Sequence, residues 1–287
     1  MVKKYSELYL DARKALLPSE GEYAPNMARE LICAAAGKSP EALIADRDLY
    51  ASEEICARAE DYVRRHIAGE PLAYILGRWE FFGIPLTVSR DVLIPRDDTV
   101  AVTELAIKRA MFLPQNARIL DLCTGSGCIG IAIASRVKDA RVTLGDVSAE
   151  ALRVAKKNVA EHQLTGRVNC LAVDATKPAT AFLGKFDMLV ANPPYIRSGE
   201  LATLDNSVKN FEPSLALDGG EDGLDFYRAI LDNFTAALNP GGVVCFEHGL
   251  GQEDAVTALL KAHGFTVLEH KRDNSYIMRA VAAQLPA

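Results

Sequence analysis

Asn192-Pro193-Pro194-Tyr195 ends an apolar run over residues 187–191, and its residue types suit one task, holding a planar NH2 group still. Two prolines remove two backbone donors and fix φ, so the turn is stiff and leaves carbonyl oxygens free to accept. The Asn192 side-chain carbonyl and the Pro193 carbonyl can each take one hydrogen of such a group, with Tyr195 stacking on it or walling its pocket. The nitrogen lone pair then points at whatever electrophile lies alongside. This is the right kind of catalysis for an amide or exocyclic amine, a poor nucleophile that keeps its proton until attack. Orientation can supply ~7–11 kcal/mol of a barrier, and a potent electrophile such as a methyl sulfonium needs no strong general base.

A second constellation precedes it. Residues 119–130 read as strand, glycine turn and helix start, with Asp121, Cys123, Thr124, Gly125, Ser126 and Gly127 at its centre. Glycines let the backbone turn sharply and approach a ligand, and the following helix N-terminus offers free N–H groups. Asp146 closes the next apolar run, 21 residues beyond Gly125, where a carboxylate can accept both hydroxyls of a ribose. Together these indicate an adenosine-containing cofactor. Gly125, Gly127 and Gly130 also fit the dinucleotide fingerprint, which is weak alone. Asp121 counts against NAD, because a buried carboxylate repels a pyrophosphate and suits the cationic amino group of a methionine. Asp174, after the third run, is placed to face an adenine amino group. The plainer reading of Asp146 and Asp174 is a helix cap or turn residue. The series of one acid per strand resembles the S-adenosylmethionine-dependent methyltransferases.

The elements that must position these residues follow from periodicity. From residue 118 onward, apolar runs of strand length (118–123, 141–147, 167–173, 186–191, 242–247) alternate with helical segments at 129–137, 149–162, 224–238 and 253–263. That alternation predicts an α/β fold with a mostly parallel sheet covered on both faces. The last two runs, 266–270 and 275–281, are joined by four residues and must be antiparallel, since a parallel crossover needs a dozen or more. Before the sheet, apolar residues recur at helical spacing (Tyr5, Leu8, Ala12, Leu16; Met27, Leu31, Ile32, Ala35; Ile55, Ala59, Tyr62, Val63), and Ser39-Pro40-Glu41 signals a helix start. About four short helices are expected over residues 1–75. Trp79, Phe81, Ile84, Leu86 and Val88 around Gly83 predict a hairpin within 76–95, its aromatics core rather than a base-stacking platform.

More of the chain narrows the class. Residues 74–77, 81–83, 92–96, 192–196, 211–217 and 247–249 resemble the HemK family, over roughly residues 5–281. That family methylates the glutamine side chain in the Gly-Gly-Gln loop of class I peptide-chain release factors. The resemblance implies a Rossmann-like S-adenosylmethionine-dependent methyltransferase domain at 96–287, preceded by a substrate-recognising helical bundle at 1–75 and a hairpin linker at 76–95. It further implies that residues 123–127 wrap the methionine part of the cofactor, Asp146 takes the ribose, Ala175 beside Asp174 borders the adenine, and residues 192–195 hold the substrate glutamine. No metal is implied. Three stretches depart from the family pattern: Arg96-Asp97-Asp98-Thr99-Val100 replaces Arg-Pro-acid-Thr-Glu, Cys123 stands where glycine is common, and residues 271–279 lack a glycine. Glu247 and His248 follow the fifth run and read at least as well as loop or capping groups. His66 reads as half-buried core.

Composition sets the boundaries. The 287 residues are 49 % hydrophobic and 24 % charged, values of an ordinary globular protein of about two domains. The longest uncharged runs, 122–135 and 233–246, are 14 residues each, short of the ~18 that suggest a membrane span. Charged residues follow the first lysines where a signal peptide needs an apolar segment, so a cytoplasmic protein is expected. The six cysteines form no Cys-x-x-Cys pair and read as buried hydrophobes in a reducing compartment. Residues 1–75 carry 10 basic and 13 acidic side chains and the rest 22 and 25, so each part is −3. A chain that neutralises many phosphates shows a basic face or half, so nucleic acid is a disfavoured partner. The expectation is therefore a monomeric protein-glutamine methyltransferase acting on release factors. The alternatives are an amine methyltransferase of DNA or RNA, a cofactor-binding protein without catalysis, or an oxidoreductase resting on the glycines alone.

Overall fold

A computed structural model of the chain describes residues 2–287, which form two compact units that divide between Gly77 and Arg78. In the first, α1 (Tyr5–Glu20), α2 (Ala24–Ala36), α3 (Pro40–Ala45) and α4 (Glu53–Ile67) are followed by a single turn, α5 (Leu72–Leu76), too short for its period to show in the sequence. Ser39 and Ser52 cap α3 and α4, each hydroxyl accepting an N–H at 3.2 Å. Acids open α4 and basic residues close it, in line with its dipole. Tyr5, Leu8, Ala12 and Leu16 share one face of α1 and meet Leu31 and Ile32 of α2 and Ala59 and Val63 of α4 in one core. His66 is half-buried there, its Nε2 3.1 Å from Glu20.

The second unit opens with a hairpin, β1 (Arg78–Phe81) and β2 (Ile84–Thr87). Its two-residue turn, Phe82-Gly83, has φ of 55° and 73°, the positive pair that matches strand twist in tight hairpins. Next comes α6 (Thr99–Ala110), a helix the sequence reading leaves unassigned. The sheet then builds through β3 (Arg118–Leu122), α7 (Cys128–Arg136), β4 (Arg141–Asp146), α8 (Ala149–Glu161), β5 (Val168–Ala172), β6 (Phe186–Ala191), α9 (Asn206–Lys209), α10 (Asp225–Phe234), β7 (Leu238–Glu247), α11 (Glu253–Ala262), β8 (Thr266–Arg272) and β9 (Met278–Gln284). The strand order is β5-β4-β3-β6-β7-β9-β8. The last strand, β9, is antiparallel to both of its neighbours and lies between them.

Alternation along each buried strand separates two cores. Ile119, Val142, Leu144, Met188, Val190 and Cys245 face α6, α7 and the hairpin residues Phe81 and Leu86. Leu120, Leu122, Leu189, Val244 and Phe246 face α10 and α11. Burial on both faces is why these strands read as near-continuous apolar runs. The strand order turns back between β3 and β6, which pair with Leu122 beside Ala191. Ligands of open α/β sheets bind at the carboxyl edge of such a switch point, and there the glycine turn and the Asn-Pro-Pro-Tyr turn become neighbours.

Candidate active site

The glycine turn is fastened from below. Asp121, fully buried at the end of β3, accepts the Thr124 hydroxyl at 2.7 Å and the Gly130 N–H at 2.9 Å through Oδ2. Gly145 accepts the Thr124 N–H at 3.1 Å. The Gly125 N–H donates to Asp146 Oδ2 at 2.9 Å, and the Ser148 N–H to Asp146 Oδ1 at 2.9 Å. Asn158 of α8 donates to the Ser126 carbonyl at 2.9 Å while exchanging two hydrogen bonds with the backbone of Thr87, so one buried amide ties the hairpin to the turn. Gly130 has to be glycine for lack of room: a Cβ there would overlap Leu144 and stand 2.9 Å from Asp121 Oδ2.

A cavity of about 310 Å³ opens above this turn, within the range of small-molecule sites. Cys123, Thr124, Gly125, Ser126, Asp146, Asp174, Ala175, Asn192 and Pro194 line it. Asp121, Gly127, Pro193 and Tyr195 are not among the residues that line it. Asp121 supports the turn, and Gly127 (φ 83°) caps α7 over Leu144 and Ile131. Tyr195 departs from the expectation of a stacking surface: it packs against the core on the α10 side, and its hydroxyl donates to Glu247 Oε1 at 3.3 Å. Asp174 closes its own turn, taking the Thr176 N–H at 2.9 Å and hydroxyl at 2.6 Å on Oδ1 and facing Lys177 through Oδ2.

The electrostatics follow from burial. Asp121 is raised from 3.8 to about 7, mainly by burial, against its bonds from Thr124 and Gly130. Its Oδ1 has no partner among the described residues, nor has the buried Ser126 hydroxyl. A buried acceptor left open beside a cavity is what a cationic amine would complete. Burial likewise raises Asp146 and lifts Glu247 from 4.5 to about 7. Burial drives the Cys123 thiol far up and Cys128 to about 12, so both are neutral and inert. Cys123 holds φ 58°, a left-handed position that favours glycine.

Several site residues escape the sequence reading. Thr99, the first residue of α6, lines the cavity and accepts the Asn192 Nδ2 hydrogen at 3.2 Å. The spacing of Val102, Leu105, Ala106 and Ala110 was the available signal for that helix. Glu212, buried, accepts the Ile94 N–H at 3.2 Å and pairs with Arg96, joining the two segments (91–95 and 213–216) that form the cavity rim. Asp98, in the stretch that departs from the family pattern, pairs with Arg279 at 2.8 Å. No group of three or more His, Cys, Asp or Glu side chains among the described residues is arranged to hold a metal. No helix among them is long and apolar enough to cross a membrane.

Known proteins resemble this chain along nearly its whole length. The model of the methyltransferase small domain matches residues 103–219, and that of the PrmC N-terminal domain matches residues 7–77. The release factor glutamine methyltransferase of Clostridium acetobutylicum is 35 % identical over 280 residues, 98 % of each chain. That of Geobacter sulfurreducens is 37 % identical over 279 residues, 96 % of this chain and 95 % of its own. A methyltransferase structure from Pyrococcus furiosus superposes with a TM-score of 0.52 at 16 % identity, covering 79 % of this chain and all of its own, a likeness of fold alone. The chain belongs to the release factor glutamine methyltransferase family.

Proposed function

We propose that this protein transfers the methyl group of S-adenosylmethionine to the side-chain amide nitrogen of the glutamine in the Gly-Gly-Gln loop of class I peptide-chain release factors. The observation that carries the reading is the placement of Asn192. Its Nδ2 is committed to Thr99, which leaves its carbonyl for a substrate N–H at the wall of a cavity shared with the glycine turn. When bound, S-adenosylmethionine supplies a methyl group made electrophilic by its sulfonium. The residues present fit it: Asp121 and Ser126 offer open buried polar atoms toward the methionine end, Asp146 offers remaining lone pairs to the ribose, and Asp174 and Ala175 border the adenine.

In this reading Asn192 and the Pro193 carbonyl hold the two amide hydrogens and aim the nitrogen at the methyl group. Pro193 and Pro194 keep that turn from relaxing. Tyr195 acts from behind, through Glu247. The apolar side chains of the pocket wall, among them Val92, Leu93, Ile129 and Val173, disfavour competing water beside the reacting pair. We assign residues 1–75 to substrate recognition, 76–95 to the hairpin that links them, and 96–287 to methyl transfer. The enzyme works as a cytoplasmic monomer without a metal. The test is a labelled-methyl assay offering purified release factor, its Gln→Ala version and nucleic acid. Label is expected in the first alone; label in nucleic acid but not in release factor overturns the reading.

A further inference from the structure

The proline turn is restrained by its own sequence only at its start. A residue before a proline is confined to extended backbone, which covers Asn192 and Pro193. No proline follows Pro194 or Tyr195, so their ψ angles are left to the fold. The fold holds this exit firmly. The Ile196 N–H donates to the Leu217 carbonyl at 3.0 Å, and the Ile196 carbonyl accepts the Gly219 N–H at 2.8 Å. The Tyr195 carbonyl accepts from Gln252 Nε2 at 3.0 Å.

Gln252 leads into α11 and is 8 % exposed. Its Nε2 also donates to the Gly223 carbonyl at 3.3 Å, and its Oε1 accepts the Gly249 N–H at 2.9 Å. Two carbonyls and one N–H as partners leave the amide a single orientation. The fit is close: a Cβ at Gly223 would stand 2.4 Å from the Tyr195 carbonyl oxygen and 2.5 Å from Gln252 Nε2. A Cβ at Gly249 would stand 2.8 Å from Gln252 Oε1 and 3.1 Å from the Tyr195 ring. The glycine of the Glu247-His248-Gly249 stretch thus has a physical reason, the approach of Gln252 and Tyr195.

We propose that Gln252 is a positioning residue for methyl transfer, its side-chain amide clamping the Tyr195 carbonyl and so fixing how Asn192 and the Pro193 carbonyl meet the substrate amide. The inference rests on the reading of residues 192–195 as the group that holds the substrate glutamine. The turn spans two fixed points. One is Ala191, in the sheet beside Leu122 and Phe246; the other is the Tyr195 carbonyl on Gln252. Gln252 is not among the residues lining the cavity, so its influence on the reaction runs through the turn. Releasing the second point lets the acceptors drift, and a misplacement of ~1 Å can cost ~100-fold in rate.

The clamp needs hydrogens to give. An ionised carboxylate in place of the amide sets lone pairs against two carbonyl oxygens, whereas a protonated carboxyl still accepts from Gly249 and donates one O–H to Tyr195. Gln252→Glu should therefore hold the turn in acid and release it in base. The titratable side chains that adjoin Gln252 and its partners are Tyr195 and His248, whose neutral forms burial favours, Asp222, held low by its bond from Arg228, and Glu253. Burial and the neighbouring acids both raise the new carboxyl.

The experiment measures kcat from pH 6 to pH 9 for the unaltered full chain, Gln252→Met and Gln252→Glu, with release factor and S-adenosylmethionine saturating. Cofactor affinity by calorimetry and folded fraction by circular dichroism are read at each pH. Gln252→Met is expected to lose ~10–100-fold in kcat at every pH, with cofactor affinity unchanged. Gln252→Glu is expected to approach the unaltered chain at pH 6 and to fall ~10–100-fold below it at pH 9. A methionine variant at full kcat, or a glutamate variant whose ratio to the unaltered chain stays flat with pH, would overturn the proposal. So would a fall in kcat matched by a fall in folded fraction or in cofactor affinity, which marks a merely structural role. If Gln252→Met does not fold, the Gln252→Glu profile decides. A chain that methylates release factor and is crippled by Asn192→Ala, yet is indifferent to substitution of Gln252, defeats this inference and leaves the proposed function standing. A chain inactive on release factor defeats the function itself.

Discussion

Replacing Asp121 by asparagine should make the cofactor-free protein more stable, and more so as the pH rises. Asp121 is fully buried, and its pKa moves from 3.8 to about 7 on folding. Between those values the unfolded chain releases this proton while the folded chain keeps it, so the native state binds more protons and stability falls with rising pH. From pH 5 to pH 8 the cost grows by roughly two pH units of linkage, about 3 kcal/mol at ~1.4 kcal/mol each. Asparagine keeps the shape and the acceptor for Thr124 and Gly130 but cannot ionise. In a unit of this size ~1 kcal/mol moves the melting midpoint by ~2–4 °C, so the gap between variant and parent should widen by roughly 5–12 °C. Differential scanning fluorimetry of both proteins without cofactor, at pH 5, 6, 7 and 8, reads it directly. Adding S-adenosylmethionine should reverse the order, because the variant lacks the charge that a cationic amino group completes, and its affinity should fall by ~10–100-fold. A gap that stays flat across the pH range, or widens the other way, refutes the assignment of Asp121 as a strained buried acid reserved for that cation.

Three further outcomes follow from the same geometry. Gly130→Ala forces a methyl group into Leu144 and against Asp121; it should cost ~1–3 kcal/mol by thermal melting and weaken cofactor binding, whereas Gly166→Ala, where a Cβ meets nothing, should change neither. Asn192→Ala should lower kcat by ~100-fold or more with cofactor affinity by calorimetry intact; unchanged turnover would remove Asn192 from its role. Glu212→Ala strips the Ile94 N–H and Arg96 of their acceptor. It should cost ~1–3 kcal/mol and raise KM for release factor as the rim loosens, and an unaltered KM would leave the pair a stability element only.

What could be read from the chain beforehand divides along a physical line. Local periodicity carried the sheet strands and their helices, because a strand buried on both faces must be apolar throughout and a helix on its surface must repeat every three to four residues. It also carried the two turns, since glycine and proline act through their own φ. Contacts between distant residues left no such trace. Thr99 meets Asn192 across 93 positions and Arg96 meets Glu212 across 116, and nothing local to Thr99 marks it as more than the start of a helix. Tyr195 was legible as part of a motif, yet its direction depended on Glu247 of β7. Asn158 looked like any polar residue of α8, and only the fold brings Thr87 and Ser126 to its two ends. The start of β7 was hidden because Pro240, Gly241 and Gly242 read as a turn, while the strand already begins at Leu238 through an irregular register with β6.

The most direct test of the account is the location of the transferred methyl group. Release factor incubated with the enzyme and S-adenosylmethionine carrying a fully deuterated methyl group would be digested and the Gly-Gly-Gln peptide sequenced by tandem mass spectrometry. The account predicts one methyl group with all its deuterium retained, on the side-chain nitrogen of that glutamine, and none in reactions with the Asn192→Ala enzyme. A label on any other residue, or an unmodified glutamine after complete turnover of the cofactor, would contradict it.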